Sequence, residues 1–113
     1  MIKQWIGALE SGKYQKHTGN FVPLGSDGEN FTLAKENCAC ALGVYLIEVA
    51  GFTAQEIAHK GYDTMNYWEF LNNELGEDFV SEIYQVNDAN GPFYRDFKSP
   101  NFDYVIQELK KHV

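Results

Sequence analysis

A chain of 113 residues, 44% hydrophobic and 15% aromatic, fits one domain (1–113) with enough apolar surface for a single core, which excludes a disordered chain. The net charge of −7 is uneven: from Gly61 to Tyr94 there is no Lys or Arg, while Asp63, Glu69, Glu74, Glu77, Asp78, Glu82 and Asp88 supply seven negative charges. Such a surface repels phosphates, which excludes direct nucleic-acid binding and docking on an anionic membrane through it.

The opening segment spaces Ile2, Trp5, Ile6 and Leu9 as one helical face, and Gly12 is placed to stop it. It has neither the long apolar run nor the cleavage site of a secretory signal. Next, Phe21-Val22-Pro23-Leu24 and Asn30-Phe31-Thr32-Leu33 flank Gly25-Ser26-Asp27-Gly28. That pattern predicts a hairpin near 21–33, with Pro23 confining the first strand to an edge. Asn37 as N-cap and Gly51 as C′ residue then bracket a helix over 38–50.

This helix is apolar on two sides. Cys38, Ala41, Leu42, Tyr45, Leu46 and Val49 form one face; Cys40, Gly43, Val44 and Ile47 form another. A helix of that kind is expected at the centre of the core. Gly43 inside it loses about 1 kcal/mol against Ala, so another element is expected to lie close at that point. The longest apolar run is too short to span a bilayer, and a cytoplasmic location with reduced cysteines is expected.

Thr53-Ala54-Gln55-Glu56 has the form of a capping box and starts a short helix that Gly61 ends. Thr64 is placed to cap another through Leu75, before Gly76; Phe79, Ile83 and Val86 mark a further one ending near Asn87. Ser99 and Pro100 stand as cap and first residue of a last helix carrying Phe102, Val105, Ile106 and Leu109. The expected fold is mainly α (α+β): five to six short helices around the central helix, plus the hairpin.

Cys38 and Cys40, the only cysteines, raise the question of a reactive thiol at a helix start, where the dipole favours the thiolate. A hydrolase or acyl transferase of this kind would use Cys38 or Cys40 as nucleophile and His17 as base. The competing reading is two small apolar residues in a core, and it carries more weight beside so apolar a run. On a helix the two thiols would point to nearly opposite sides. C-x-C with three scattered histidines matches no zinc spacing, and no metal or cofactor is expected. Aligning Gly91 with the sixth position of a calcium loop puts Val86 and Phe97 where oxygen donors are needed, which excludes an EF-hand.

The blocks Trp5, Ala8-Leu9, Ser11-Gly12, Tyr14-Gln15, then Cys40-Ala41-Leu42-Gly43-Val44, then Val86-Asn87-Asp88 with Gly91 and Phe93 carry a resemblance. They resemble small, mostly uncharacterised proteins of bacteriophages and bacteria with the pattern W-x-x-A-L-x-S-G-x-Y-x-Q, a C-C-L-G-V-L-type helix and an L-N-D-x-x-G-x-x-F segment. Ala41 departs from the second Cys frequent there, and Val86 from Leu. The resemblance implies a phage or prophage accessory protein, in the host cytoplasm if phage-encoded, and no particular reaction.

The first expectation is therefore a non-enzymatic binder or inhibitor of a host protein with a basic surface. It would mimic nucleic acid through an acidic face comprising Asp63, Glu69, Glu74, Glu77, Asp78 and Glu82. The second is the cysteine enzyme. The third is sequestration of a nucleotide-like signal by Lys13, Lys16 and His17 in the more basic part of the chain. Glu48, the one charge late in the apolar helix, is a candidate partner for Lys13, Lys16 or His17.

Overall fold

The computed structural model describes residues 1–89 and 100–113. Helix α1 (Ile2–Glu10) buries Trp5, Ile6 and Leu9, the face read from the spacing, and gives way to Ser11 and Gly12. A two-residue strand, β1 (Gln15–Lys16), follows. Strands β2 (Leu24–Asp27) and β3 (Asn30–Leu33) pair antiparallel from Leu24↔Leu33 to Asp27↔Asn30. The loop between them is Gly28-Glu29, where Gly28 at φ +64 supplies the left-handed backbone of a tight hairpin turn. Phe21 and Val22, read as part of the first arm, stand outside the strands and are buried.

The helix expected over 38–50 is corrected at its start. Cys38–Ala39 form a strand, β4, parallel to β1. Asn37 takes φ +53 instead of a cap conformation. Two bonds hold the chain extended there, from the Gln15 N–H to the Asn37 carbonyl (2.8 Å) and from the His17 N–H to the Ala39 carbonyl (3.0 Å). The N-cap is Cys40, with φ −75 and ψ 169, and helix α2 runs only over Ala41–Val44. It continues into a π-helical turn, Tyr45–Val49, closed by the Ala50 N–H on the Tyr45 carbonyl at 3.0 Å. Residues 41–46 are all buried, so this is the central helix that the sequence predicts, shorter and wider than expected.

Helix α3 (Ala54–His59) starts with the reciprocal Thr53/Glu56 capping box. Helices α4 (Met65–Leu75) and α5 (Glu77–Asp88) are separated by Gly76 alone, at φ +91. Thr64 precedes α4 but its side chain makes no cap bond. Helix α6 (Asp103–Lys110) starts three residues after Pro100, because Asn101 Oδ1 accepts the Asp103 N–H at 3.0 Å; Ser99 lies outside the described residues. Helix α1 packs on α2, the π-turn and α6, while α5 packs on α2, α4 and α6. The core is led by Trp5, Tyr45, Leu46, Leu71, Ile83 and Leu109. Among the described residues no helix is long and apolar enough to cross a membrane.

Gly43 has the close neighbour its sequence position predicts. A Cβ there would lie 2.3 Å from the Phe21 carbonyl oxygen, the same oxygen that accepts the Cys40 N–H at 2.9 Å. Gly43→Ala is therefore expected to destabilise the protein by about 1–3 kcal/mol, the usual range for overpacking. Gly7→Ala, on the exposed side of α1 with nothing within 4 Å of a Cβ, is expected to stabilise it by about 0.5–1 kcal/mol. Urea unfolding of both variants checks the contrast.

Candidate functional site

The most connected polar cluster surrounds the start of α2. Asn87 is the one buried polar side chain among the described residues, 1% exposed. Its Oδ1 accepts the Ala41 N–H at 3.0 Å, and its Nδ2 donates to the His17 carbonyl (3.0 Å) and to Asp88 Oδ1 (2.7 Å). Asp88 Oδ2 accepts the Gly19 N–H at 3.0 Å. From the other side, Trp5 Nε1 donates to the Ala41 carbonyl at 2.9 Å. Two of the three sequence blocks that carry the resemblance thus send a residue, Trp5 and Asn87, to Ala41, which lies in the other block. The sequence reading did not find this role for Asn87, although an Asn four and seven residues beyond the apolar positions Ile83 and Val80 of α5, set among Val86 and other buried residues, was its signal.

Cys40 completes the cluster. Its Sγ accepts the Gly43 N–H at 3.3 Å and so plays the part usually taken by a Ser, Thr, Asp or Asn oxygen. Burial pushes its thiol up to about 12, against the lowering effect of the Gly43 N–H, and nearby Asp88 raises it further. That environment opposes the thiolate a nucleophile needs. In extended backbone Cys38 and Cys40 share a side instead of opposing one another, and both are buried free thiols. His17 lies one residue past β1; burial lowers its pKa despite Asp88, and its Nε2 is buried with no hydrogen-bond partner among the described residues.

The candidate anion ligands are already compensated. Lys13 Nζ meets Glu48 Oε1 at 2.8 Å, one of the three partners considered for Glu48, and the Tyr14 hydroxyl donates to the same oxygen at 2.7 Å. Lys13, then Tyr14, hold the Glu48 carboxyl below its ordinary range, while burial and Glu48 push the Tyr14 phenol up to about 12. The π-turn presents this carboxylate, and Gln4 Nε2 donates to the Glu48 carbonyl at 2.9 Å. Burial lowers the Lys16 pKa, with Asp88 opposing the shift. A groove of ≈ 260 Å³ runs beside Lys13, but Glu36 lines it too. Lys13, Lys16 and His17 do not converge there as a set, since neither Lys16 nor His17 lines it.

The acidic residues divide into two groups. Asp63, Glu69, Glu74, Glu77 and Asp78 are exposed, and none joins an ion pair among the described residues. Glu82 is half-buried and turned towards α6. Burial first, then a hydrogen bond with Glu108, raises its pKa, whereas Lys111 at 2.8 Å holds Glu108 down. No group of three His, Cys, Asp or Glu side chains placed to hold a metal ion occurs among the described residues.

Compared with known proteins, the chain matches no family model, no curated protein and no solved structure. Chemical reactivity therefore provides a direct test of the thiol's role. In native protein at pH 8, iodoacetamide is expected to leave both cysteines unmodified over a period that fully labels the urea-unfolded chain. Rapid native-state labelling of Cys40 at neutral pH would contradict its role as a protonated cap.

Proposed function

We propose that the protein is a non-enzymatic binder, of phage accessory type, that docks a basic protein on the acidic face of α4 and α5. The observation that carries this reading is the crowding of exposed carboxylates around the α4–α5 junction with no cation in the sequence from Gly61 to Tyr94. Glu77 and Asp78 have a local role: they sit in the first turn of α5, where a carboxylate contributes about 0.3–1 kcal/mol against the helix dipole. Glu74 has no such role. It lies in the last turn of α4, at the negative dipole end, where folding alone disfavours an anion.

A surface of this sign raises the association rate of a positively charged partner and rejects anionic ones. A nucleic-acid-binding host protein fits that description, because its phosphate-binding surface is basic, and occupation of that surface would inhibit it. The cysteine-enzyme reading has less support, since the thiol is committed as a cap and its pKa is raised. The nucleotide reading is disfavoured by Glu48 beside Lys13 and Asp88 beside Lys16.

The test is capture of partners from bacterial lysate on immobilised protein at about 0.05 and about 0.5 M salt, which span strong and weak screening of surface charge. Recovery of a basic protein at low salt is expected, and its loss at high salt and with the combined variant Asp63→Asn, Glu69→Gln, Glu74→Gln. Recovery of no partner, or of one indifferent to salt and to the variant, counts against the proposal.

A further inference from the structure

The seam between the hairpin and the α3–α4 turn exposes large apolar side chains at the margin of the acidic face. Tyr62 is 74% exposed, Met65 65% and Phe31 36%. The Phe31 and Tyr62 rings meet edge to face, with centroids 5.4 Å apart and planes at 86°. Gly61 makes this possible in two ways. Its φ of +61 turns the chain, and a Cβ on it would lie 2.2 Å from the Phe31 ring, so the ring occupies the space a side chain would take. The pair is set in place by the backbone around it.

Acids flank these rings. Asp63 stands between Tyr62 and Met65 in the chain, and Glu69 follows Met65 by one turn on the same face of α4. Both are exposed and outside the ion pairs of the described residues. Lys60 precedes the patch, and its carbonyl accepts the Asp63 N–H at 3.0 Å.

We propose that Phe31, Tyr62 and Met65 form the apolar anchor of the docking site, and that its occupant is a basic polypeptide segment combining arginine with aliphatic side chains. The inference rests on the acidic-face reading and adds an apolar contact at the margin of that face. Tyrosine supplies rigid contact area at protein interfaces, and methionine adapts to the shape of what it meets. Arginine suits the site better than lysine: its weakly hydrated guanidinium stacks on an aromatic face while donating to a neighbouring carboxylate, here Tyr62 and Asp63. A second copy of this chain is a poor occupant, because two-fold contact would bring Asp63 and Glu69 against their own like charges in a molecule of net charge −7.

The test is an NMR titration of the whole protein at low salt with two capped peptides, one alternating arginine and leucine and one alternating lysine and leucine. The arginine peptide is expected to shift the signals of Tyr62, Asp63, Met65 and Glu69 and to bind more tightly than the lysine peptide. Tyr62→Ser with Met65→Ser is expected to weaken it by about tenfold or more, the scale of an interface anchor. The unfolding midpoint should change little, because both side chains are exposed.

Shifts confined to Glu74, Glu77 and Asp78, or unchanged binding by the double variant, overturn the anchor and leave the acidic-face reading standing. Silence at every acidic position with both peptides overturns the anchor and counts against that reading as well. A concentration-dependent dimer in sedimentation, abolished by the double variant, assigns the patch to self-association and also overturns the proposal.

Discussion

The fold depends on how the start of its buried helix is satisfied. A helix begins with N–H groups that have no partner within it, and inside a core no water is at hand to supply one. At Ala41 the protein answers from two distant parts of the chain, with Cys40 beside it. Asn87 from the end of α5 accepts the N–H, Trp5 from α1 donates to the carbonyl, and the Cys40 thiol receives the Gly43 N–H. Because Asn87 also holds the His17 carbonyl, the same side chain fixes the end of β1 against α2. An unpaired buried polar group costs about 1–3 kcal/mol, so these contacts decide where α1, α5 and the β1–β4 pair must lie.

The neighbouring carbonyl of Phe21 adds a steric condition. It accepts the Cys40 N–H and lies where a side chain on residue 43 would begin, so only Gly43 lets the Phe21 segment close over the helix start. The buried thiol, which first suggests chemistry, is explained by the same arrangement. A sulfur acceptor fills apolar space and caps the helix at once, and its raised pKa keeps it neutral there. Structure and proposed function thus occupy separate regions. The polar cluster is buried around Ala41, and the charge available for a partner lies outside on α4, the α4–α5 junction and the turn before α4.

Much of this was legible where the controlling interactions are local. The Thr53/Glu56 capping box, the stops at Gly12 and Gly76, the core face of α1 and the tight approach at Gly43 all follow from short-range spacing or from backbone limits on glycine. What escaped is non-local. Cys38 and Ala39 sit in an apolar run that suits strand or helix equally, and only the distant Gln15–Lys16 segment draws them into a strand. The cap supplied by Asn87 acts across 46 residues, and no spacing rule within either segment reports it. The six acids were visible as a charge pattern. That Glu82 turns inward to Glu108 while the other five stay exposed follows from the packing of α5 on α6.

The most direct test of the account is the stability of Asn87→Ala, measured by urea unfolding beside the unaltered chain. Removal of the amide strands the Ala41 N–H and the His17 carbonyl together. The account predicts a loss of about 2–4 kcal/mol, from one buried and one part-buried group left without partners, and faster hydrogen exchange at the Ala41 amide. A change below about 0.5 kcal/mol, the level of an ordinary surface substitution, with Ala41 still protected, would contradict it.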